Sequence, residues 1–174
     1  MTQYVAFPRG INAGHPMKMS DLRAVFESLG YEDVRTVLAS GNVLFETKRT
    51  AEATLRREIE KALSAAFGAR IAVVVRTSAE LERLVAAKPF GKVALGGTTR
   101  AHVTFLNAKP RKGRALPEGT GYEVVQIVER TVCSVVDISQ ASSSDLMRAL
   151  DQAFGTEVTT RGWPTVERVL RAIG

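Results

Sequence analysis

The 174-residue sequence predicts an α+β fold built from two similar halves and a closing helix. Two observations carry this expectation. Apolar residues alternate or run unbroken over four to eight positions in some segments and recur at three-and-four spacing in others, the marks of strand and helix respectively. In residues 1–77 these segments follow the order strand, helix, strand, strand, helix, strand, which is the split βαβ or ferredoxin-like arrangement. Residues 101–174 return to that order with a loop in place of the first helix. The expected architecture is therefore two ferredoxin-like subdomains, 1–77 and 101–174, the second degenerate and ending in a C-terminal helix, with a helix and linker over 78–100. The halves share no residue-level repeat, so the duplication is one of architecture.

Each element has its own warrant. QYVAFP, residues 3–8, reads as the first strand. MSDLRAVFESLG places Met19, Leu22, Val25, Phe26 and Leu29 on one helical face, with Ser20 expected to cap its start and Gly30 its end. DVRTVLAS and NVLFET are β-rich runs around Gly41, a residue free to take positive φ, and are expected to form a hairpin. TAEATLRREIEKALSAAFG sets Leu55, Ile59, Ala62, Leu63 and Ala66 in one stripe, and RIAVVVRT follows as a buried strand. Thr77 and Glu80 have capping-box spacing at the head of TSAELERLVAA. KPFGKVALGGTTR, with its proline and glycines, reads as the connection between halves. AHVTFLNA, YEVVQIVE and TVCSVVDI then read as strands, SSSDLMRALDQAFG as a helix, TEVTTR as a short extended piece, and the last helix opens at Pro164.

Composition narrows the function classes. A chain of this length with 45% hydrophobic residues buries roughly 70% of its unfolded surface. MTQYVAF lacks the pattern of a secretory signal and no stretch reaches about 18 apolar residues, so a soluble, cytoplasmic protein without membrane association is expected. Cys133, the only cysteine, lies within an apolar run and reads as a buried structural thiol. One cysteine and two distant histidines, His15 and His102, do not make a closed metal set, and no cofactor is expected. Glu32, Asp33, Glu58 and Glu60 stand among basic residues and read as solvated, without an acid–base role. The net charge of +6 is spread evenly, with 11 basic against 8 acidic residues in 1–77 and 13 against 10 beyond. Such a spread disfavours a dedicated nucleic-acid arm. The nearest thing to a basic block, KPRKGR at 109–114, reads as a solvated loop capable of meeting phosphates.

The segment FPRGINAGHPMKM, residues 7–19, is the most distinctive loop. It is not a Walker A motif, because Gly10 and Gly14 are four apart and His15 stands where lysine is required. The Rossmann fingerprint is absent too. In the split βαβ order, strands 1 and 2 run parallel, so the loop leaving strand 1 and the hairpin leaving strand 2 emerge at one edge. Arg9, Gly10, Asn12 and Gly14 are thus expected near Ser40, Gly41 and Asn42, under the positive end of the helix that follows Lys18. A purely structural alternative has Asn12 bonding its own loop, Gly10 and Gly14 supplying positive φ, and Arg9 pairing with a local carboxylate. His15, between Gly14 and Pro16, reads as an exposed turn residue.

RGINAG, KMSDLR, LG followed by YEDVRT, SGNVLF, and TTRGWPTV near the end together resemble the DUF1697 family of uncharacterised bacterial proteins. The family's recurrent segments fall on residues 9–14, 18–19, 40–43 and 159–165. The resemblance implies two α+β subdomains of ferredoxin-like character and no established activity. This sequence departs from the family pattern at Gly162, where asparagine is usual, at Pro8, where an aliphatic residue is usual, and at Val37 and Leu38 and near Cys133, where aromatics are common. Trp163 reads either as a stacking platform or as an anchor at the helix entry beside Pro164.

Three functional readings follow. The first is a small anionic, phosphate-bearing ligand at the edge formed by loop 9–18 and hairpin 40–42. Arg9 and Lys18 would supply charge, Asn12, Ser40 and Asn42 hydrogen bonds, Gly10, Gly14 and Gly41 close backbone approach, and Arg161 and Trp163 further contacts if the C-terminal segment folds across. The alternatives are a nucleic-acid module stacking bases on Tyr4, Phe7 and Phe45, although the RNP1 pattern is absent, and a protein–protein interaction module using a sheet edge. No nucleophile is paired with a base, so no catalytic residue is assigned. A monomer or weak homodimer is expected.

Overall fold

The computed structural model describes residues 1–14 and 16–174, so the reading of His15 lies outside the described residues. The chain divides into two compact units, the first comprising Met1–Glu82 and Arg168–Gly174, the second Arg83–Glu167.

Unit 1 is a four-stranded sheet with helices on one face. Strands β1 (Thr2–Pro8), β2 (Glu32–Val37), β3 (Asn42–Thr47) and β4 (Val73–Thr77) lie in the order β2-β3-β1-β4, every neighbouring pair antiparallel. Since β1 and β2 are both antiparallel to β3, they run parallel to each other. Helices α1 (Met19–Ser28) and α2 (Glu52–Phe67) complete the split βαβ order. Alternation puts Tyr4, Ala6, Val43, Phe45, Val73 and Val75 on the helix side, where they form one core with Leu22 and Phe26 of α1 and Leu55, Ile59 and Leu63 of α2. Phe45 is the hub of that core, its ring 4.6 Å from Tyr31, 5.5 Å from Phe26 and 5.6 Å from Tyr4. Each such side chain contributes about 1.5–3 kcal/mol by leaving water. The two tyrosine hydroxyls keep polar partners. Tyr4 donates to the Thr50 carbonyl at 3.0 Å and accepts from the Thr50 amide at 3.1 Å, while Tyr31 donates to Glu58 at 3.1 Å. Burial and that carboxylate raise the Tyr31 pKa.

The opposite face of the sheet is buried as well, with Val5, Phe7, Leu44 and Val74 all at 0% exposure. Tyr4, Phe7 and Phe45, the rings a base-stacking platform would use, therefore show at most 1% of their surface. Helix α1 begins two residues earlier than the Ser20 cap anticipates. Lys18 is its N-cap, with extended backbone and no side-chain cap, and Ser20 falls inside the first turn. The reason lies upstream, where the Asn12 side chain accepts the Met17 amide at 2.8 Å and fixes the chain just before the helix. Thr77 and Glu80 do form the capping box of α3 (Ser78–Ala86), the Glu80 amide donating to Thr77 Oγ1 at 3.2 Å and the Thr77 amide to Glu80 Oε2 at 3.0 Å. Glu60 is more than a solvated acid, since its carboxylate accepts the Val73 amide at the start of β4 at 3.0 Å.

Unit 2 repeats the topology without the first helix. Strands β5 (Thr99–Phe105), β6 (Glu118–Gly119), β7 (Tyr122–Val128), β8 (Thr131–Asp137) and β9 (Thr159–Gly162) lie in the order β6-β7-β8-β5-β9, again all antiparallel. With the two-residue β6 set aside, β7-β8-β5-β9 reproduces β2-β3-β1-β4 place for place. Residues 106–117 stand where unit 1 has α1. Helix α4 (Ser143–Phe154) is opened by a reciprocal box in which Ser142 Oγ accepts the Asp145 amide at 3.0 Å and Asp145 accepts the Ser142 amide at 2.8 Å. Its Leu146 and Leu150 pack on Val132 and Val136 of β8, with Leu106 and Val158. Cys133, on the other face of β8, is fully buried, and burial pushes its thiol up to about 12, as suits a packing residue. Helix α5 (Trp163–Ile173) closes the chain with Pro164 in its first turn. Among the described residues, no helix is long and apolar enough to cross a membrane.

Candidate functional site

The parallel course of β1 and β2 brings the exit of β1 and the β2–β3 turn to one end of the first sheet. Asn12 fastens them together, its Nδ2 donating to the Ala39 carbonyl at 2.8 Å while its Oδ1 holds the Met17 amide. It does so from φ 57°, a left-handed conformation that asparagine tolerates better than most residues. The bends also approach where Gly41, at φ 80°, faces Ile11. A Cβ on Gly41 would lie 2.9 Å from Ile11 Cγ2 and 3.1 Å from Cγ1. Below the turn, Asn42 is fully buried and its Nδ2 donates to the Val37 carbonyl at 2.8 Å and to Ser40 Oγ at 3.0 Å.

The rest of the loop is ordered by its backbone. The Arg9 amide donates to the Ala72 carbonyl at 2.8 Å, and the Gly10 carbonyl accepts from the Ala13 and Gly14 amides at 3.2 and 3.0 Å. Gly10 has positive φ; Gly14 does not, and Asn12 takes the second left-handed position in its place. Arg9 is half-buried and Lys18 exposed. Loop 9–14 and turn 38–42 thus share the end toward which α1 presents its N-terminus. The carboxamide of Asn12 is committed to backbone groups, as in the structural alternative, and that of Asn42 to the Val37 carbonyl and Ser40 Oγ, and both shape the rim.

Arg161 and Trp163 belong to unit 2. Arg161, on β9 opposite Val103, is 8% exposed and donates to the Thr160 carbonyl at 3.1 Å; burial pulls its pKa down to about 10. The Trp163 ring meets Phe90 edge-on at 5.1 Å, the contact expected of a helix-entry anchor. At Gly162 between them, a Cβ would meet only Pro164 Cδ, at 3.8 Å, which leaves room for a side chain.

Two features of unit 2 escaped sequence reasoning. His102 and Ser134 face each other across β5 and β8, and His102 Nδ1 and Ser134 Oγ are buried without a hydrogen-bond partner. Burial lowers the His102 pKa. The signal was a histidine and a serine in separate strand patterns, and pairing them required the register. The second feature is a cavity beside the KPRKGR loop. Among the described residues no group of three or more His, Cys, Asp or Glu side chains is placed to hold a metal ion.

Comparison with known proteins agrees with this architecture. A family model described as "Protein of unknown function (DUF1697)" matches residues 1–132, and the chain belongs to that family. The match ends within β8, so the 159–165 segment lies beyond it. No curated protein matches the chain. Among solved structures, the conserved bacterial protein SP0830 from Streptococcus pneumoniae is similar over 99% of each chain, with 18% identity and a TM-score of 0.70. A likeness at that identity is one of fold.

Proposed function

We propose that the end of unit 1 where loop 9–18 meets the β2–β3 turn binds a small anionic ligand, phosphate being the group that suits it. The observation that carries this reading is the Asn12 tie between Ala39 and Met17, which holds an irregular loop in one shape at the mouth of α1. No side chain caps the first turn of α1, whose Asp21 amide donates to the Lys18 carbonyl at 3.1 Å, and the positive pole of a helix favours an anion. Lys18 at the N-cap and Arg9 beside it supply positive charge. In this reading Ser40 is the side chain offered for a direct hydrogen bond, and Asn12, Gly41 and Asn42 act by positioning.

Thermal melts of the full chain with phosphate, pyrophosphate and ATP test it. A ligand at a hundred times its Kd stabilises the chain by about 2.7 kcal/mol. The expected result is an upward shift for the wild-type protein that is lost in Arg9→Ala and reduced in Lys18→Ala. Equal melting with and without each ligand, in all three proteins, removes the proposal and leaves the loop a structural device.

A further inference from the structure

We propose that unit 2 carries a ligand site of its own at the exit of β5, shaped for a small molecule that joins a phosphate or carboxylate to a planar ring. The proposal does not depend on the site in unit 1. Its basis is a cavity of about 280 Å³ between the KPRKGR loop and the end of α4, walled by Leu106, Lys109, Arg111, Arg114, Phe154 and Val158. That volume lies just under the roughly 300–1,000 Å³ of sites for drug-sized ligands, and the mixture of apolar wall and a few charged groups is the composition such sites show.

The loop is anchored at its base. The Leu106 amide donates to the Arg130 carbonyl at 2.9 Å and Asn107 Nδ2 to the Glu157 carbonyl at 3.4 Å, while a turn closes from the Arg114 amide to the Arg111 carbonyl at 3.3 Å. Four cations, Lys109, Arg111, Lys112 and Arg114, are thus presented over six residues. Against them the cavity wall sets one carboxylate, Glu157, and the C-terminal pole of α4, equivalent to about half a negative charge. Of the four cations, Lys109, Arg111 and Arg114 line the cavity, which leaves a surplus of about one and a half positive charges, beyond what neutralising the helix end requires.

The ring half of the ligand follows from Arg114. Its guanidinium carbon sits 5.4 Å from the centre of the Phe154 ring, so one face of the guanidinium is backed by an aromatic surface. A guanidinium held this way stacks a planar ring on its other face, while the fork of Arg111 and the ammonium of Lys109 suit the oxygens of an anion. A bare anion uses only the second half of this arrangement, and a neutral ring only the first.

Calorimetric titration of the full chain with phenyl phosphate and 5′-AMP, and with inorganic phosphate and adenosine as the separated halves, tests the proposal. Phenyl phosphate or 5′-AMP is expected to bind saturably, with each half at least about tenfold weaker. The exposed double variant Lys109→Gln/Arg111→Gln is expected to melt like the wild type and to lose at least about tenfold in affinity. Phenyl phosphate also suits the unit 1 rim, so the titrations resolve two components: Lys18→Gln is expected to weaken the unit 1 component alone and the double variant the other, so failure of either site is seen separately. Absence of saturable binding of both joined probes up to about 5 mM, or unchanged affinity in the double variant, overturns the proposal.

Discussion

Replacing Gly41 by alanine probes the contact on which the unit 1 rim depends, and Gly30 supplies the control. The two glycines have nearly the same backbone, φ 80° and 81°, but a methyl added at Gly30 would have no atom within 4 Å, whereas one added at Gly41 would meet Ile11 at 2.9 Å. Gly30→Ala therefore carries the left-handed penalty alone, about 1–2 kcal/mol. Gly41→Ala carries that penalty and an overpacking cost of about 1–3 kcal/mol, since Ile11 is 5% exposed and held by the loop around it. The loss of unfolded-state freedom from glycine to alanine is common to both and cancels in the comparison. For a chain of this size 1 kcal/mol moves Tm by about 2–4 °C, so Gly41→Ala should melt about 2–12 °C below Gly30→Ala. Calorimetric melts of the two variants and the wild type measure it. Equal Tm values for the two variants would mean that Ile11 yields without cost and that the bends are not held together as described.

Further outcomes follow from single contacts. Asn12→Ala loses the bonds to Ala39 and Met17 and leaves alanine at φ 57°, so a stability loss of about 1–3 kcal/mol in urea melts is expected, with Asn12→Gly recovering only the backbone share. Gly162→Asn restores the residue usual in the resembling sequences; with only Pro164 Cδ near, at 3.8 Å, it should change stability by less than about 0.5 kcal/mol, and a drop beyond that would contradict the open space described at β9. His102 has its pKa lowered by burial, so the unfolded chain binds the extra proton first. Its share of stability is fully present above the unfolded value of about 6.5 and is lost as pH falls from there toward the folded pKa, a slope that His102→Gln should flatten in melts across pH 5–7. Cys133 should resist thiol reagents at neutral pH until the chain is unfolded, because its thiol is buried and held neutral.

What the sequence made legible was whatever a local rule governs. The Thr77–Glu80 box formed, and the split βαβ order was enough to predict that residues 9–14 approach the turn around Gly41. What stayed hidden was register and the destination of side chains. Asn12 and Asn42 look alike in sequence whether they face a ligand or a carbonyl, and only the 2.8 Å bonds to Ala39 and Val37 show that they are spent on the backbone. Ser20 is a better cap than Lys18 by propensity, yet the tie from Asn12 to Met17 fixed the helix start two residues earlier, a tertiary contact overriding a local preference. Ser134 and His102 became neighbours only through the pairing of β5 with β8.

The two units solve the exit from their first strand in parallel ways, and the difference between them separates the two sites chemically. In each, the chain leaving the first strand is fastened to the hairpin between the second and third, by Asn12 to Ala39 in unit 1 and by the Leu106 amide to Arg130 in unit 2. Unit 1 then enters α1, and in the reading proposed above the anion is drawn by backbone groups there that no side-chain substitution removes. Unit 2 has no helix at that point, and whatever attraction it exerts must come from Lys109, Arg111, Lys112 and Arg114. Neutralising Lys18 should therefore leave unit 1 with residual phosphate affinity, reduced by about two- to fivefold for loss of one exposed charge, whereas neutralising Lys109 and Arg111 together should leave unit 2 with almost none. Titrations of Lys18→Gln and Lys109→Gln/Arg111→Gln with phenyl phosphate compare the two directly. Equal residual affinities would show that neither site draws on the helix terminus, and the assignment of the unit 1 site to the mouth of α1 would fall.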